Sequence, residues 1–236
     1  MTFSRKSVAP IASVVAVVLT LFQIYSTGGF GVLPTPIQRG THLALIMTLV
    51  FLWRPAFRYK DGKEPLPMFL LDLCLAVLAL AIGAYIIMEN DYIMDRLRYV
   101  DPLTDMDWFM GVSCVLLVLE ITRRTAGLPL VIVSVVFILY AFFGQYLPGG
   151  LRHNGIYTPD LLEQLFLTTD GIYGVPLAAA AGMIYAFVMF GAFLEKANMS
   201  SLFMDLACLL TRRSQGGPAK VAIFASALFG TISGSA

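Results

Sequence analysis

Long runs of apolar residues, separated by short polar segments, extend through the whole chain. A helix needs roughly 20 apolar residues to cross the hydrocarbon core of a bilayer, and most of these runs approach that length. The pattern therefore predicts an all-α integral membrane protein with about six transmembrane helices. The second span is short unless its helix also includes part of the segment before it. The predicted spans are Val8–Tyr25, Thr41–Trp53, Leu66–Met88, Trp108–Ile121, Leu128–Leu147 and Val175–Leu194.

Three shorter elements are also expected. The run Ala219–Phe229 is too short to cross and predicts a half-helix, the first arm of a re-entrant hairpin. A surface helix is expected to begin at Thr158, because a hydroxyl cap followed by a proline is typical of a helix start. A second surface helix is expected to begin at Ser200/Ser201 and to cover Leu202–Leu210.

Charge in the loops predicts how the chain crosses the membrane. Basic residues favour the cytoplasmic side, and Arg5 and Lys6 therefore place the N-terminus there. The four basic residues between positions 54 and 63 place that loop on the same side, whereas the loop 89–107 carries six acids against two arginines and should face outward. The basic and acidic loops alternate along all six spans, as this orientation requires.

Composition narrows the functional classes. Hydrophobic residues make up 58% of the chain and charged residues 13%, against about 25% charged in a soluble domain. The net charge of +1 gives no indication of a nucleic-acid partner. The three cysteines lie in apolar runs without metal-ligand spacing, and no cofactor is expected. Neither a metalloprotease pattern nor a Gly-x-Ser-x-Gly nucleophile motif occurs, which disfavours an enzyme.

Hydroxyl and glycine residues crowd the C-terminal end of the chain. Hydroxyl oxygens and the carbonyls of a broken helix are suitable ligands for Na⁺, and glycine permits a turn and a close approach of backbone to an ion. The same residue types also allow helices to pack closely, so both interpretations stay open. The residues concerned are Ser226, Gly230, Thr231, Ser233, Gly234 and Ser235.

Two acidic residues lie within predicted spans. Glu120 has Arg123 and Arg124 three and four positions later, a spacing that predicts a structural ion pair on one helix face. An ionisable residue inside a span is by default a functional hypothesis. Asp72, however, lies near the basic cytoplasmic end of its span, and we expect it to have a structural role as well, either interfacial or ion-paired.

Several segments together resemble a known family. The stretch Ala225–Ala236 closely resembles a signature of the large membrane subunit of TRAP (tripartite ATP-independent periplasmic) transporters. Phe190–Lys196 and Arg212–Lys220 look like the early region of the same subunit. Leu117–Arg124 and Phe143–Gly149 are similar to permeases in which small and large subunits are fused, and which usually pair with binding proteins of the TAXI type.

The resemblance implies a function for each part of the chain. Residues 1–106 would be the bracing helices of the small subunit, and residues 107–236 would begin the large transport subunit. Such permeases are sodium-coupled secondary transporters of a bacterial or archaeal cytoplasmic (inner) membrane. They import an organic acid that a periplasmic binding protein delivers. The family's hairpin at this stretch lines the sodium and substrate sites, which marks Ser233, Gly234 and Ser235, with Thr231 as a weaker candidate.

In the family the large subunit continues through further spans and a second re-entrant hairpin. We therefore expect this sequence to be the N-terminal part of a longer permease, truncated at the hairpin tip and inactive without its C-terminal half. The alternative function is a non-transporting membrane scaffold or assembly protein, and an intramembrane enzyme is the third.

Overall fold

The computed structural model of the chain describes residues 2–57, 63–211 and 216–233, and most of them are helical. Two three-residue strands, β1 (Thr2–Ser4) and β2 (Lys63–Pro65), form a small antiparallel pair. The helices are α1 (Ala9–Thr27), α2 (Thr35–Trp53), α3 (Leu66–Met88), α4 (Asn90–Asp95), α5 (Asp105–Thr125), α6 (Leu128–Phe143), α7 (Thr158–Phe166), α8 (Val175–Ala179), α9 (Tyr185–Lys196), α10 (Met199–Thr211) and α11 (Gly217–Ser233). A π-helical turn, Ala180–Ile184, joins α8 to α9.

Local sequence signals account for most helix starts. Proline occupies one of the first two positions of α1, α2, α3, α6 and α7, where its missing N–H costs no helical hydrogen bond. Helix α5 begins instead at a capping box, in which Thr104 and Asp107 each accept a hydrogen bond from the other's backbone N–H. At α7 the expected cap is wrong: Thr158 is already helical, Tyr157 holds the cap position, and no side chain caps the helix.

Four helical segments of the described chain are long and apolar enough to cross a membrane, by length and composition alone. They are Ala9–Thr27, Leu66–Met88, Leu128–Tyr146 and Val175–Lys196. The all-α membrane fold is therefore confirmed. The other two expected spans correspond to α2 and α5, helices of 19 and 21 residues with more polar positions. Their crossing, and with it the count of six, stays a prediction.

Helices α2, α3 and α5 build the core of the first of two compact units, which extends to Ala178. Met47 and Phe51 from α2 and Ile82 from α3 are completely buried in it. Helices α2 and α3 approach closely at Gly83, where an added methyl group would lie 2.6 Å from Cβ of Ala44. Small residues at such a crossing let the two backbones pack against each other, as in other membrane helix pairs.

The apolar side chains of α1 and α6 lie largely outside this core. Helix α6 has no buried residue, and most of its leucine, valine and phenylalanine side chains are exposed. Surfaces of this kind are expected where lipid tails replace water, because hydrocarbon does not penalise exposed apolar groups. The exposure of α1 and α6 therefore agrees with a membrane setting.

The second compact unit, from Ala179 onward, contains α9, α10 and α11. Helices α10 and α11 pack on each other, with Ala207 and Ala225 buried. They correspond to the expected surface helix over Leu202–Leu210 and to the expected half-helix. Helix α11 is longer than the apolar run, because it continues through Gly230 to Ser233. The division of the chain at residue 106 stays a prediction.

Candidate functional site

The candidate cation site lies at the C-terminal end of α11. A glycine with positive φ, Gly216, precedes this helix, and Pro218 lies in its first turn. Thr231 and Ser233 belong to the last helical turn, whereas Gly234 and Ser235 lie outside the described residues. The turn that Gly230 could have allowed does not form, since Gly230 is helical.

A helix end has chemistry of its own. The last carbonyls of an α-helix have no partner within the helix, and together they carry a partial negative charge. Such an end is suited to a cation, and neighbouring hydroxyl groups supply further oxygen ligands of the kind Na⁺ accepts. Within the described ranges, no group of three or more His, Cys, Asp or Glu side chains is arranged to hold a metal ion.

Asp72 lies in a buried ion cluster. Its carboxylate contacts the Arg5 guanidinium and lies 2.7 Å from the Arg124 guanidinium. Arg5 also reaches Glu64 at 3.1 Å, and the register of β1 with β2 brings these two residues together. The cluster thus joins the N-terminal segment to α3 and to the end of α5. We call these residues, together with Glu120, the Asp72 cluster.

Glu120 forms the ion pairs that its helical spacing indicated. Its carboxylate oxygens lie 2.8 Å from Nε of Arg123 and 2.7 Å from Nε of Arg124. Arg124 therefore bridges Glu120 on its own helix to Asp72 on α3. All carboxylates of the Asp72 cluster contact arginine, an arrangement that favours a structural role over ion coupling.

Sequence reasoning missed a second buried cluster, which lies near the start of α5. Asp107 accepts hydrogen bonds from the hydroxyls of Tyr85 and Tyr92 at 2.7 and 2.9 Å. The Arg96 guanidinium lies 3.7 Å from Asp107 and 3.5 Å from Glu163, and its side chain is only 3% exposed. We call these five residues the Asp107 cluster. It ties α3, α4 and α7 to the first turn of α5.

Hydrogen bonding controls protonation in the Asp107 cluster. Burial by itself raises the pKa of Asp107, but hydrogen bonds from Tyr85, Thr104 and Tyr92 outweigh it and leave the pKa below its ordinary value. Burial, and then the hydrogen bond to Asp107, raise the pKa of Tyr92. Asp107 is therefore ionised and Tyr92 protonated at neutral pH. One signal was present in the sequence, since Thr104-x-x-Asp107 before an apolar run is a capping-box pattern.

Comparison with known families supports the membrane-transport interpretation. Residues 113–236, more than half of the chain, match the family model described as the DctM component of the tripartite ATP-independent periplasmic transporters. The chain belongs to this family. The match covers α6 to α11 and includes the candidate residues 231–235. Nothing among the curated proteins or the solved structures matches the chain.

Family membership establishes the coarse function. A DctM component is the membrane part of a TRAP secondary transporter, a multi-pass protein that works with a periplasmic binding protein. The family consists of transporter components and is not an enzyme family. The resemblance stated from the sequence is confirmed at this level.

Proposed function

We propose that this DctM component imports an organic acid in symport with Na⁺. The position of residues 231–235 in the sequence supports the proposal: they come directly after the apolar run Ala219–Phe229 and Gly230, inside the region that matches the family. A helix C-terminus offers partial negative charge, and Thr231, Ser233 and Ser235 offer hydroxyl oxygens beside it. Gly234 keeps the backbone accessible to an ion and a carboxylate substrate.

We further propose the setting of this transporter. The chain resides in a bacterial or archaeal cytoplasmic membrane with its N-terminus in the cytoplasm, and a TAXI-type binding protein delivers the substrate. Residues 1–106 act as bracing helices fused to the transport subunit. The resemblance of Leu117–Arg124 and Phe143–Gly149 to fused permeases supports the fusion and the TAXI pairing.

The ligand count at the helix end leads to a further part of the proposal. One helical turn supplies only a few hydroxyls and carbonyls, and a dehydrated cation at membrane depth needs more partners than that. The remaining ligands come from an opposing membrane element of the permease.

Uptake measurements test the proposal. The permease that contains this sequence is reconstituted into proteoliposomes, and its binding protein is added outside. Labelled mono- and dicarboxylates are then supplied under a Na⁺ or a K⁺ gradient. We expect uptake with Na⁺ only. Ser233→Ala and Ser235→Ala should each raise the Na⁺ concentration for half-maximal uptake by roughly tenfold, because an interaction with a charged group contributes about 1.5–3 kcal/mol.

The matched control is Ser134→Ala. Ser134 is exposed on α6, and its hydroxyl donates only to the carbonyl of Leu130, at 3.0 Å. This variant should keep the sodium dependence of the unmodified permease. Uptake that is equal under Na⁺ and K⁺ gradients would refute sodium coupling. Unchanged sodium dependence in both site variants would refute side-chain coordination at residues 233 and 235.

A further inference from the structure

A cavity of about 310 Å³ lies beside the C-terminal ends of α2 and α5. The described residues that line it are Arg54, Pro55, Ala56, Arg123 and Arg124, so three of these five are arginines and none of them is acidic. The volume falls at the small end of the range for ligand sites, roughly 300–1,000 Å³. We call this cavity the basic pocket.

Two of the three arginines are already held in place. Arg124 donates to the carbonyl oxygen of Arg54 at 2.9 Å, in addition to its contacts with Asp72 and Glu120. Arg123 donates to the carbonyl oxygen of Ala56 at 3.2 Å, in addition to its contacts with Glu120. These bonds cover carbonyl oxygens near the helix ends that would otherwise repel an anion.

The third arginine is available. Arg54 is exposed, and in the described part of the chain its guanidinium makes one long hydrogen bond, 3.4 Å to the carbonyl oxygen of Arg124. Among the residues that the structure describes, the pocket and the adjoining Asp72 cluster contain one more arginine than carboxylates: Arg5, Arg54, Arg123 and Arg124 against Glu64, Asp72 and Glu120. The surplus positive charge therefore belongs to Arg54.

Two exposed aromatic residues flank the pocket residues 54–56 in the sequence. Trp53 and Phe57 are 67% and 57% exposed, and the Phe57 ring lies 5.5 Å from the Arg123 guanidinium carbon. Tryptophan at the end of an apolar helix is typical of the headgroup level of a bilayer. If α2 crosses the bilayer as predicted, the Arg54 guanidinium and the two aromatic side chains lie at the depth of the lipid phosphates.

We propose that the basic pocket binds the phosphate group of an anionic phospholipid. A phosphodiester carries one negative charge, which matches the single surplus charge on Arg54. The planar guanidinium can donate two parallel hydrogen bonds to two phosphate oxygens. The acyl chains then lie along the exposed apolar side chains beside the pocket. A soluble phosphate has the same charge chemistry but gains nothing from Trp53 and Phe57.

Native mass spectrometry of the purified 236-residue chain in a neutral detergent tests this proposal. The probes are phosphatidylglycerol and phosphatidylcholine of identical acyl chains, with inorganic phosphate as the soluble competitor. We expect preferential retention of one phosphatidylglycerol. Arg54→Ala should weaken that retention about fivefold, the contribution of one basic residue near an anionic membrane surface, and should leave phosphatidylcholine unaffected. Arg54→Gln, which keeps the length of the side chain, should do the same.

The control variant is Arg152→Ala, which removes an exposed arginine from the loop before α7 and causes the same change in net charge. It should retain phosphatidylglycerol as the unmodified chain does. The proposal would be overturned if the unmodified chain retained the two lipids equally. It would also be overturned if the Arg54 and Arg152 variants lost phosphatidylglycerol to the same extent. Displacement of the lipid by an equal concentration of inorganic phosphate would assign the pocket to a soluble anion and would overturn it as well.

Discussion

At the scale of single residues, the buried carboxylates described in the first unit have hydrogen-bond or ion-pair partners. Asp107 has no exposed surface, yet two tyrosine hydroxyls and the Thr104 backbone and hydroxyl donate to it. A buried carboxylate is tolerated only with such partners, because desolvation otherwise costs several kcal/mol. Removal of one member of the Asp107 cluster should therefore destabilise the fold by more than the complete cluster stabilises it, because the remaining members stay buried without a partner.

We expect Asp107→Asn to lower the free energy of unfolding by on the order of 3 kcal/mol. The amide removes one of the two carboxylates beside the buried Arg96, and its NH2 group cannot accept the hydrogen bonds that the lost oxygen accepted. The folded-state pKa of Asp107 is lowered, so its contribution is fully present above the ordinary aspartate pKa of about 4 and is lost as the pH falls through the lower folded value. Thermal unfolding of the detergent-solubilised protein at several pH values measures both effects. The stability difference between the unmodified chain and the variant should be constant at neutral pH and shrink below about pH 4.

The control for this experiment is Asp170→Asn. Asp170 forms an ion pair with Arg98 at 3.1 Å, but both side chains are more than half exposed. Its loss should change the stability by less than about 1 kcal/mol. A similar effect in the two variants would show that burial of the Asp107 cluster contributes nothing.

At the scale of elements, the contact between α2 and α3 depends on small residues. The hydrogen of Gly83 faces Ala44, and Gly40 faces Ile86 on the same pair of helices. In a lipid environment, where apolar burial drives helices together only weakly, such close backbone approach provides much of the packing energy. The pair also carries the central core residues Met47, Phe51 and Ile82.

Gly83→Ala tests this contact. The new methyl group would lie 2.6 Å from Cβ of Ala44, so the helices must move apart, and overpacking of this kind typically costs about 1–3 kcal/mol. We expect a lower thermal unfolding temperature in detergent. The matched variant Gly191→Ala places the same methyl group on α9, where no heavy atom lies within 4 Å, and should be neutral or slightly stabilising. Equal stability of both variants would contradict close packing at Gly83.

At the scale of the whole molecule, the orientation in the membrane follows from loop charge. The segment 54–63 is basic, whereas the segment 89–107 is acidic, and α3 lies between them. If α3 crosses the bilayer, as its 23 apolar-rich residues allow, the two segments must face opposite compartments. The positive-inside rule then assigns the basic segment to the cytoplasm.

Cysteine labelling tests this orientation in intact cells. Cys74, Cys114 and Cys208 are first replaced by serine, and then Lys60→Cys or Val100→Cys is introduced. An impermeant maleimide should label position 100, whose side chain is 73% exposed, and should reach position 60 only after the membrane is opened. Labelling of both positions without permeabilisation would refute the crossing of α3, and labelling of position 60 alone would invert the orientation.

The sequence by itself determined those features that depend on neighbouring residues. Apolar run length indicated the membrane class and the approximate position of each long helix, because transfer into lipid is a property of the segment alone. The spacing of Glu120, Arg123 and Arg124 indicated ion pairs that lie on one helix. The signature at residues 225–236 indicated the family, although the extent of α11 through Gly230 was not foreseen.

The tertiary structure decided which distant residues meet. Arg124 contacts Asp72 across 52 positions, and Arg96 contacts Glu163 across 67, so no helical or strand periodicity relates the partners. Such pairs depend on the register and depth at which helices pack, and this is set by close contacts such as Gly83 with Ala44. The count of loop charges along the sequence placed Arg96 in an outward-facing loop. Only packing showed that it is buried between two carboxylates, because a charge enters a protein interior where its partners already lie.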